Sequence, residues 1–156
     1  MVADRIEREI LIDAPPETVW DVLTQPEHIT AWFADAAEID AAPGARGSFT
    51  WMRGPDRQNT VALRVEHAEP PHYLSYRWNF PEGEEPHEDN APLVEFRLTP
   101  EASGTRLRLV ESGISTLDRS EDDKAAYRDD HTQGWDTLLA KLARYASGQR
   151  REPVEP

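Results

Sequence analysis

Nine side chains carry the chemistry this sequence offers. Trp32, Phe49, Trp51, Tyr76, Trp78, Phe96 and Trp135 are large aromatics, and Glu111 and His131 are polar groups in phase with them. Aromatics that converge on one interior either fill it or wall a cavity for an apolar guest. Glu111 continues the inward phase of Leu107 and Leu109, and His131 stands one helical turn before Trp135. In a binding site these two would meet the polar end of an amphipathic guest. In an enzyme they would act as acid and base in an aldol or dehydration reaction that needs only positioning and proton transfer. Neither has a visible sequence partner that would fix a catalytic tautomer or generate a nucleophile. A lone His on an inward stripe is more often a satisfied interior or rim residue than a catalyst. Non-catalytic binding is therefore the leading expectation, and no catalytic residue is assigned.

Three further residues bear on that interior. Arg8 shares the inward phase of Ile6 and Ile10, so Arg8 and Glu111 are expected either to meet, as a structural ion pair or a site for a ligand headgroup, or to face water. Gly134 lies inside a helical run, where glycine costs about 1 kcal/mol relative to Ala; it points to close backbone approach or to space kept open beside a pocket. Trp20, among Val19 and Leu23, reads as core.

Other chemistries find no support. The five His show no paired spacing typical of zinc sites, and there is no Cys to supplement them. Asp122-Asp123 and Asp129-Asp130 read as a helix N-terminal charge bias and a solvated face. No phosphate-binding glycine loop and no Gly-x-Ser-x-Gly elbow occur. No metal and no cofactor are expected.

These side chains need elements to hold them. From Arg5 to Asp13, Ile6, Ile10 and Ile12 occupy one period-2 phase and Glu7, Glu9 and Asp13 the other, which predicts a half-buried strand. Asp13-Ala14-Pro15-Pro16-Glu17 then announces a helix with Asp13 as its capping acid, and Pro26 should end it at Gln25 and open a second short helix to about Phe33. Between Ala36 and Glu111, turn residues punctuate apolar runs of period two, giving six further strands. Their opposite phases carry Arg64, Glu66, Arg77, Glu95, Arg97, Arg106 and Arg108, which predicts one wet sheet face laced with cross-strand charge pairs. The break from Pro81 to Ala91 is expected to be a mobile loop, too polar to pack. Ser120-Glu121-Asp122-Asp123 opens a helix of about seven turns that places Tyr127, His131, Trp135, Leu138, Leu139, Leu142 and Tyr145 on one face.

A seven-stranded antiparallel sheet with one polar face can bury the other only against helices, and only the last helix is long enough to cross it. The expected architecture is α+β, a helix-grip layout in which the sheet wraps around a long C-terminal helix, with two short helices after the first strand. Residues 1–147 are expected to form one domain and 148–156 a disordered tail.

Composition narrows the partners. The chain has 156 residues with 17 Lys and Arg against 30 Asp and Glu, a net charge of −13. Such an acidic chain repels phosphate backbones and anionic lipid, so the expected partner is a small hydrophobic molecule, or a protein, rather than nucleic acid. The absence of Cys fits a reducing compartment. The N-terminal residues carry no secretory apolar region, and the sequence has no span of ~20 apolar residues, which makes cytoplasmic location the expectation and excludes membrane insertion.

The run from Ile6 to Trp20, then Trp32-Phe33, Pro43-Gly44 before a Phe-bearing strand, and Gly134-Trp135 with Leu138, Leu139 and Leu142 together resemble one family. It is the homologue-like family of the activator of the heat-shock-protein-90 ATPase, within the START/SRPBCC helix-grip superfamily. The resemblance spans roughly Arg5 to Ala146. It implies an apolar ligand held between the sheet and the last helix, in a superfamily that includes lipid carriers, hormone receptors and polyketide cyclases. A cyclase- or dehydratase-like activity on an aromatic or polyketide-like substrate, and a protein-interaction or chaperone-associated role with a filled interior, are the alternatives. The name-giving co-chaperones carry a separate N-terminal domain that this sequence lacks, so their activity is not implied.

Overall fold

The computed structural model describes residues 2–81 and 83–149. Strand β1 (Ile6–Ile12) leads into α1 (Pro16–Thr24) and α2 (Pro26–Trp32). Six strands follow, β2 (Ala36–Glu38), β3 (Arg46–Gly54), β4 (Arg57–Glu69), β5 (Tyr73–Phe80), β6 (Leu93–Glu101) and β7 (Gly104–Ser112), and then α3 (Glu121–Gly148). The strands form one antiparallel sheet of order β1-β7-β6-β5-β4-β3-β2, so the first and last strands are neighbours. This is the expected helix grip. Gly148 closes α3 and Gln149 caps it; the rest of the expected tail, 150–156, lies outside the described residues.

Local chemistry sets the element boundaries. Gln25 is extended, at φ −92° and ψ 126°, as the residue before Pro26 must be to avoid the proline ring, and this splits α1 from α2. Pro15, not Asp13, occupies the N-cap of α1, and no side chain caps it there; Pro16 at the first helical position has no N–H to satisfy. Ser120 caps α3 by accepting a hydrogen bond from the Asp123 backbone N–H at 3.1 Å. A Cβ on Gly47 would lie 2.1 Å from the Glu38 carbonyl oxygen, so only glycine lets the short edge strand β2 pair with β3 there.

The inward phases are buried as alternation requires, from Val61, Leu63 and Val65 on β4 to Leu107 and Leu109 on β7. Trp135, Leu139, Leu142 and Ala146 of α3 cover them. The outer face carries the expected ion pairs, among them Arg106–Glu9 across β1 and β7 and Arg77–Glu66 across β4 and β5. The connection after β5 departs from expectation. Pro86 and Ala91 are buried, Arg77 donates to the Ala91 carbonyl at 2.9 Å, and Arg46 pairs with Glu85. Pro86, Ala91 and Pro92 pack beneath the polar residues, while Pro81 is exposed. No helix among the described residues is long and apolar enough to cross a membrane.

Candidate functional site

Glu111, at the end of β7, is completely buried. A lone carboxylate there would be prohibitively costly, and this one is fully solvated by protein. Its Oε1 accepts from Trp135 Nε1 at 2.9 Å and faces His131 Nδ1 at 2.8 Å. Its Oε2 accepts from Trp78 Nε1 at 2.9 Å and from the Tyr127 hydroxyl at 2.6 Å. Burial pushes the Glu111 carboxyl up, but the hydrogen bond and charge of His131, with the Tyr127 and Trp135 donors, hold it below the ordinary carboxylate value. An ionised carboxylate only accepts, so Nδ1 of His131 donates to it. Burial and the neighbouring Glu111 charge push the Tyr127 hydroxyl well up, so it stays protonated and remains a donor.

Arg8 does not join this cluster. Its side chain rises from β1 to α3, where Nε lies 2.6 Å and Nη2 3.4 Å from the two Asp136 carboxylate oxygens. Arg8 has Leu109 opposite it in the sheet, whereas Ile6 lies opposite Glu111. The inward phase is as read, but the helix above supplies a half-exposed partner and the buried carboxylate is satisfied by neutral donors and His131.

The network extends to Asn79, whose Nδ2 donates to the Tyr127 hydroxyl at 3.1 Å. Pairing between β4 and β5 skips from Trp78 to Phe80, so Asn79 is the extra residue of a bulge, at φ 62°. Asn tolerates this left-handed conformation better than most residues, and the bulge aims its amide toward α3.

A cavity of about 280 Å³ opens beside the cluster, walled by Phe33, Trp51, Trp78 and Trp135, with Asn59, Asn79, Asp130 and His131 as polar lining. Of the nine residues expected to form the site, Trp51, Trp78, His131 and Trp135 reach this space. Phe49, Tyr76 and Phe96 lie behind it in the core, stacked edge-on against neighbours such as Trp78 and Trp135. Trp32 donates to the Val22 carbonyl at 3.0 Å, which ties α2 to α1 and turns the indole toward a separate groove of about 790 Å³ with Lys141, Arg144 and Tyr145 on its rim. That groove is larger, but it holds none of the Glu111 network, and the smaller cavity is the better candidate. Glu111 does not line the cavity. A mechanism in which Glu111 and His131 both touch one guest therefore fails, because Trp78, Trp135, Tyr127 and His131 enclose the carboxylate.

Phe33, absent from the expected set, is the hub of the aromatic wall. It stacks on Trp135 at 5.9 Å between centroids and on Trp78 at 6.1 Å, and its carbonyl accepts from Trp51 Nε1 at 2.7 Å. Its place directly after Trp32 is the signal that could have found it. Asn79 was detectable as a strand-disfavouring residue between Trp78 and Phe80, and Tyr127 as the residue one turn before His131. Gly134 faces open space: a Cβ there would meet no atom within 4 Å. Among the described residues no three His, Asp or Glu side chains gather to hold a metal ion.

A family model matches most of this chain. The model described as activator of Hsp90 ATPase homolog 1-like protein covers residues 13–147. The chain belongs to this family. No curated protein matches it. Among solved structures, protein MLL2253 from Mesorhizobium loti is 28% identical over 94% of this chain and 99% of that one, with a TM-score of 0.73. DynU16, titled a putative protein in the dynemicin biosynthetic locus, is 23% identical over 96% of this chain and 49% of its own, at a TM-score of 0.70. The Aha1 dimer from Colwellia psychrerythraea is 18% identical over 94% of this chain and 97% of that one, at 0.71. The last two likenesses show a shared fold.

Proposed function

We propose that the protein binds a small, flat, largely apolar molecule with one polar end, in the cavity between the sheet and α3. The observation that carries this reading is the cavity itself: about 280 Å³ walled by aromatic rings, with Gly134 leaving room on the helix side. That volume lies near the lower end of small-molecule sites, which sets the scale of the guest at one or two fused rings. The indole N–H groups of Trp51, Trp78 and Trp135 are all engaged within the protein, so these rings offer the guest apolar faces. Polar recognition falls to Asn59, Asn79, Asp130 and His131.

Ligand uptake is read from tryptophan emission and from thermal unfolding, using a panel of fatty acids, flavonoids and smaller substituted aromatics. A guest in the cavity should quench or shift the emission and raise the Tm, because preferential binding to the folded state stabilises it. The smaller aromatics should be the strongest members of the panel. If none of the panel moves either signal, the binding reading is wrong, and a protein-interaction role with an effectively filled interior takes its place.

A further inference from the structure

We infer that the guest's polar end is a cation, an amidinium or a protonated amine on a flat ring, whose N–H groups are received by Asp130 at the mouth of the cavity. The inference rests on the binding reading above and names the chemical class of its ligand.

The rim is rich in free acceptors. Asp130, on α3, is exposed and makes no hydrogen bond or ion pair within the described residues, so both oxygens of its carboxylate are open to a guest. Asn79 donates through Nδ2 to the Tyr127 hydroxyl, which leaves its side-chain carbonyl oxygen without a partner. Asn59, on β4, is exposed and its side chain is likewise unengaged. A guest that brings N–H donors can use all of these oxygens. One that brings only acceptors is left with the amide N–H groups and must face the carboxylate.

Charge points the same way. Among the described residues no Lys or Arg side chain lines the cavity. Glu111 stands 2.8 Å behind His131 and is ionised, so the two together add no net positive charge to the rim whether or not the imidazole is protonated. With Asp130 the rim is therefore negative in either state, within a chain of net charge −13. The walls reinforce this. Trp51 sends its N–H edge to the Phe33 carbonyl, and Trp78 and Trp135 send theirs to Glu111, so the positive edges of the rings are turned to the protein and the guest meets electron-rich ring surface, which attracts cations. Because Asp130 is exposed, the charged end stays at the mouth and keeps part of its water while the ring enters. The desolvation that makes a fully buried ion pair costly is avoided.

The test compares benzamidine, benzamide and benzoate by calorimetry on the full chain at neutral pH. The three share one flat ring and nearly one shape, and their end groups are positive, neutral and negative. Benzamidine should bind about tenfold more tightly than benzamide, the worth of one charge-assisted contact at an exposed site, and benzoate should bind least. In Asp130→Asn, benzamide should still bind and the preference for benzamidine should vanish. Asp129→Asn removes the same charge from the neighbouring exposed position, which does not line the cavity, and should keep the preference. Equal affinity for benzamidine and benzamide, a preference that survives Asp130→Asn, or one that Asp129→Asn abolishes equally overturns the inference while leaving the binding reading intact. If none of the three binds but other small aromatics still shift the emission and the Tm, the inference alone falls; if those are silent too, both fall.

Discussion

Trp78 and Trp135 stack with ring centroids 5.7 Å apart and send their indole N–H groups to opposite oxygens of the Glu111 carboxylate. One tryptophan belongs to the sheet and the other to α3, so a single buried anion joins the two layers. Removing a partner from such a group leaves donors facing nothing, which is worse than never having made the bonds.

The first prediction follows directly. Glu111→Gln places an NH₂ where two donors already point, and should lower stability by about 3 kcal/mol or more. Tyr127→Phe removes one hydroxyl, leaves Trp78 on the same oxygen and should cost about 1 kcal/mol. Urea unfolding midpoints at unchanged m-value measure both. A Glu111→Gln protein within about 0.5 kcal/mol of the parent, the range of an ordinary surface change, would show that the carboxylate does not hold the layers together.

A second prediction concerns acid. The folded Glu111 carboxyl sits below its ordinary value of 4.5, despite burial, because of His131, Tyr127 and Trp135. Asp4 is held down as well, chiefly by the Ser115 hydroxyl. As pH falls through the ordinary carboxylate range, the unfolded chain takes up protons that the folded one refuses, so these groups stabilise the fold above about pH 4.5 and lose that effect below it. Exposed Glu7, Glu101 and Asp136, paired with Arg5, Arg106 and Arg8, shift the same way but are screened by salt. The unfolding midpoint should be level above about pH 5 and fall below it, and the fall should persist at high ionic strength. A fall that salt abolishes would assign the effect to the surface.

The third prediction uses Gly134. With open space around its missing Cβ, Gly134→Ala should raise stability by about 0.5–1 kcal/mol through helix propensity alone. Gly134→Leu should fold, yet project into the cavity and abolish the emission and Tm changes that the smaller aromatics produce. Thermal melts and a titration on each variant check the pair. Loss of stability in the alanine variant would mean that the helix packs more closely there than the structure has it.

Alternation makes the seven strands, their inward phases and the long helix legible from residues alone, because burial of one sheet face leaves a period of two that no local context hides. The inward phase of Arg8 is legible too; its partner is not. Choosing between Glu111 and Asp136 depends on the rotation of α3 about its own axis, which periodicity gives only to within the width of a stripe. Asn79 escapes for a different reason. A bulge adds a single residue, and a run read with strict alternation places that residue on the outer face. Phe33 lies one residue past α2, where neither helical nor strand period assigns a direction. Trp51, Trp78, His131 and Trp135 are found because they sit within regular elements; the residues that shape the cavity between them sit at irregularities.

The order of elements has a consequence for synthesis. The ribosome finishes all seven strands before it makes α3, so Trp78, Phe49 and the rest of the concave face stay wet while the connection after β7 and the 28 residues of α3 are added. Glu111 spends the same interval hydrated, and must shed its water as three of its four hydrogen-bond partners arrive together on one helix. The nascent chain thus passes through a stage that is open, aromatic and prone to association, and a single late docking event ends it.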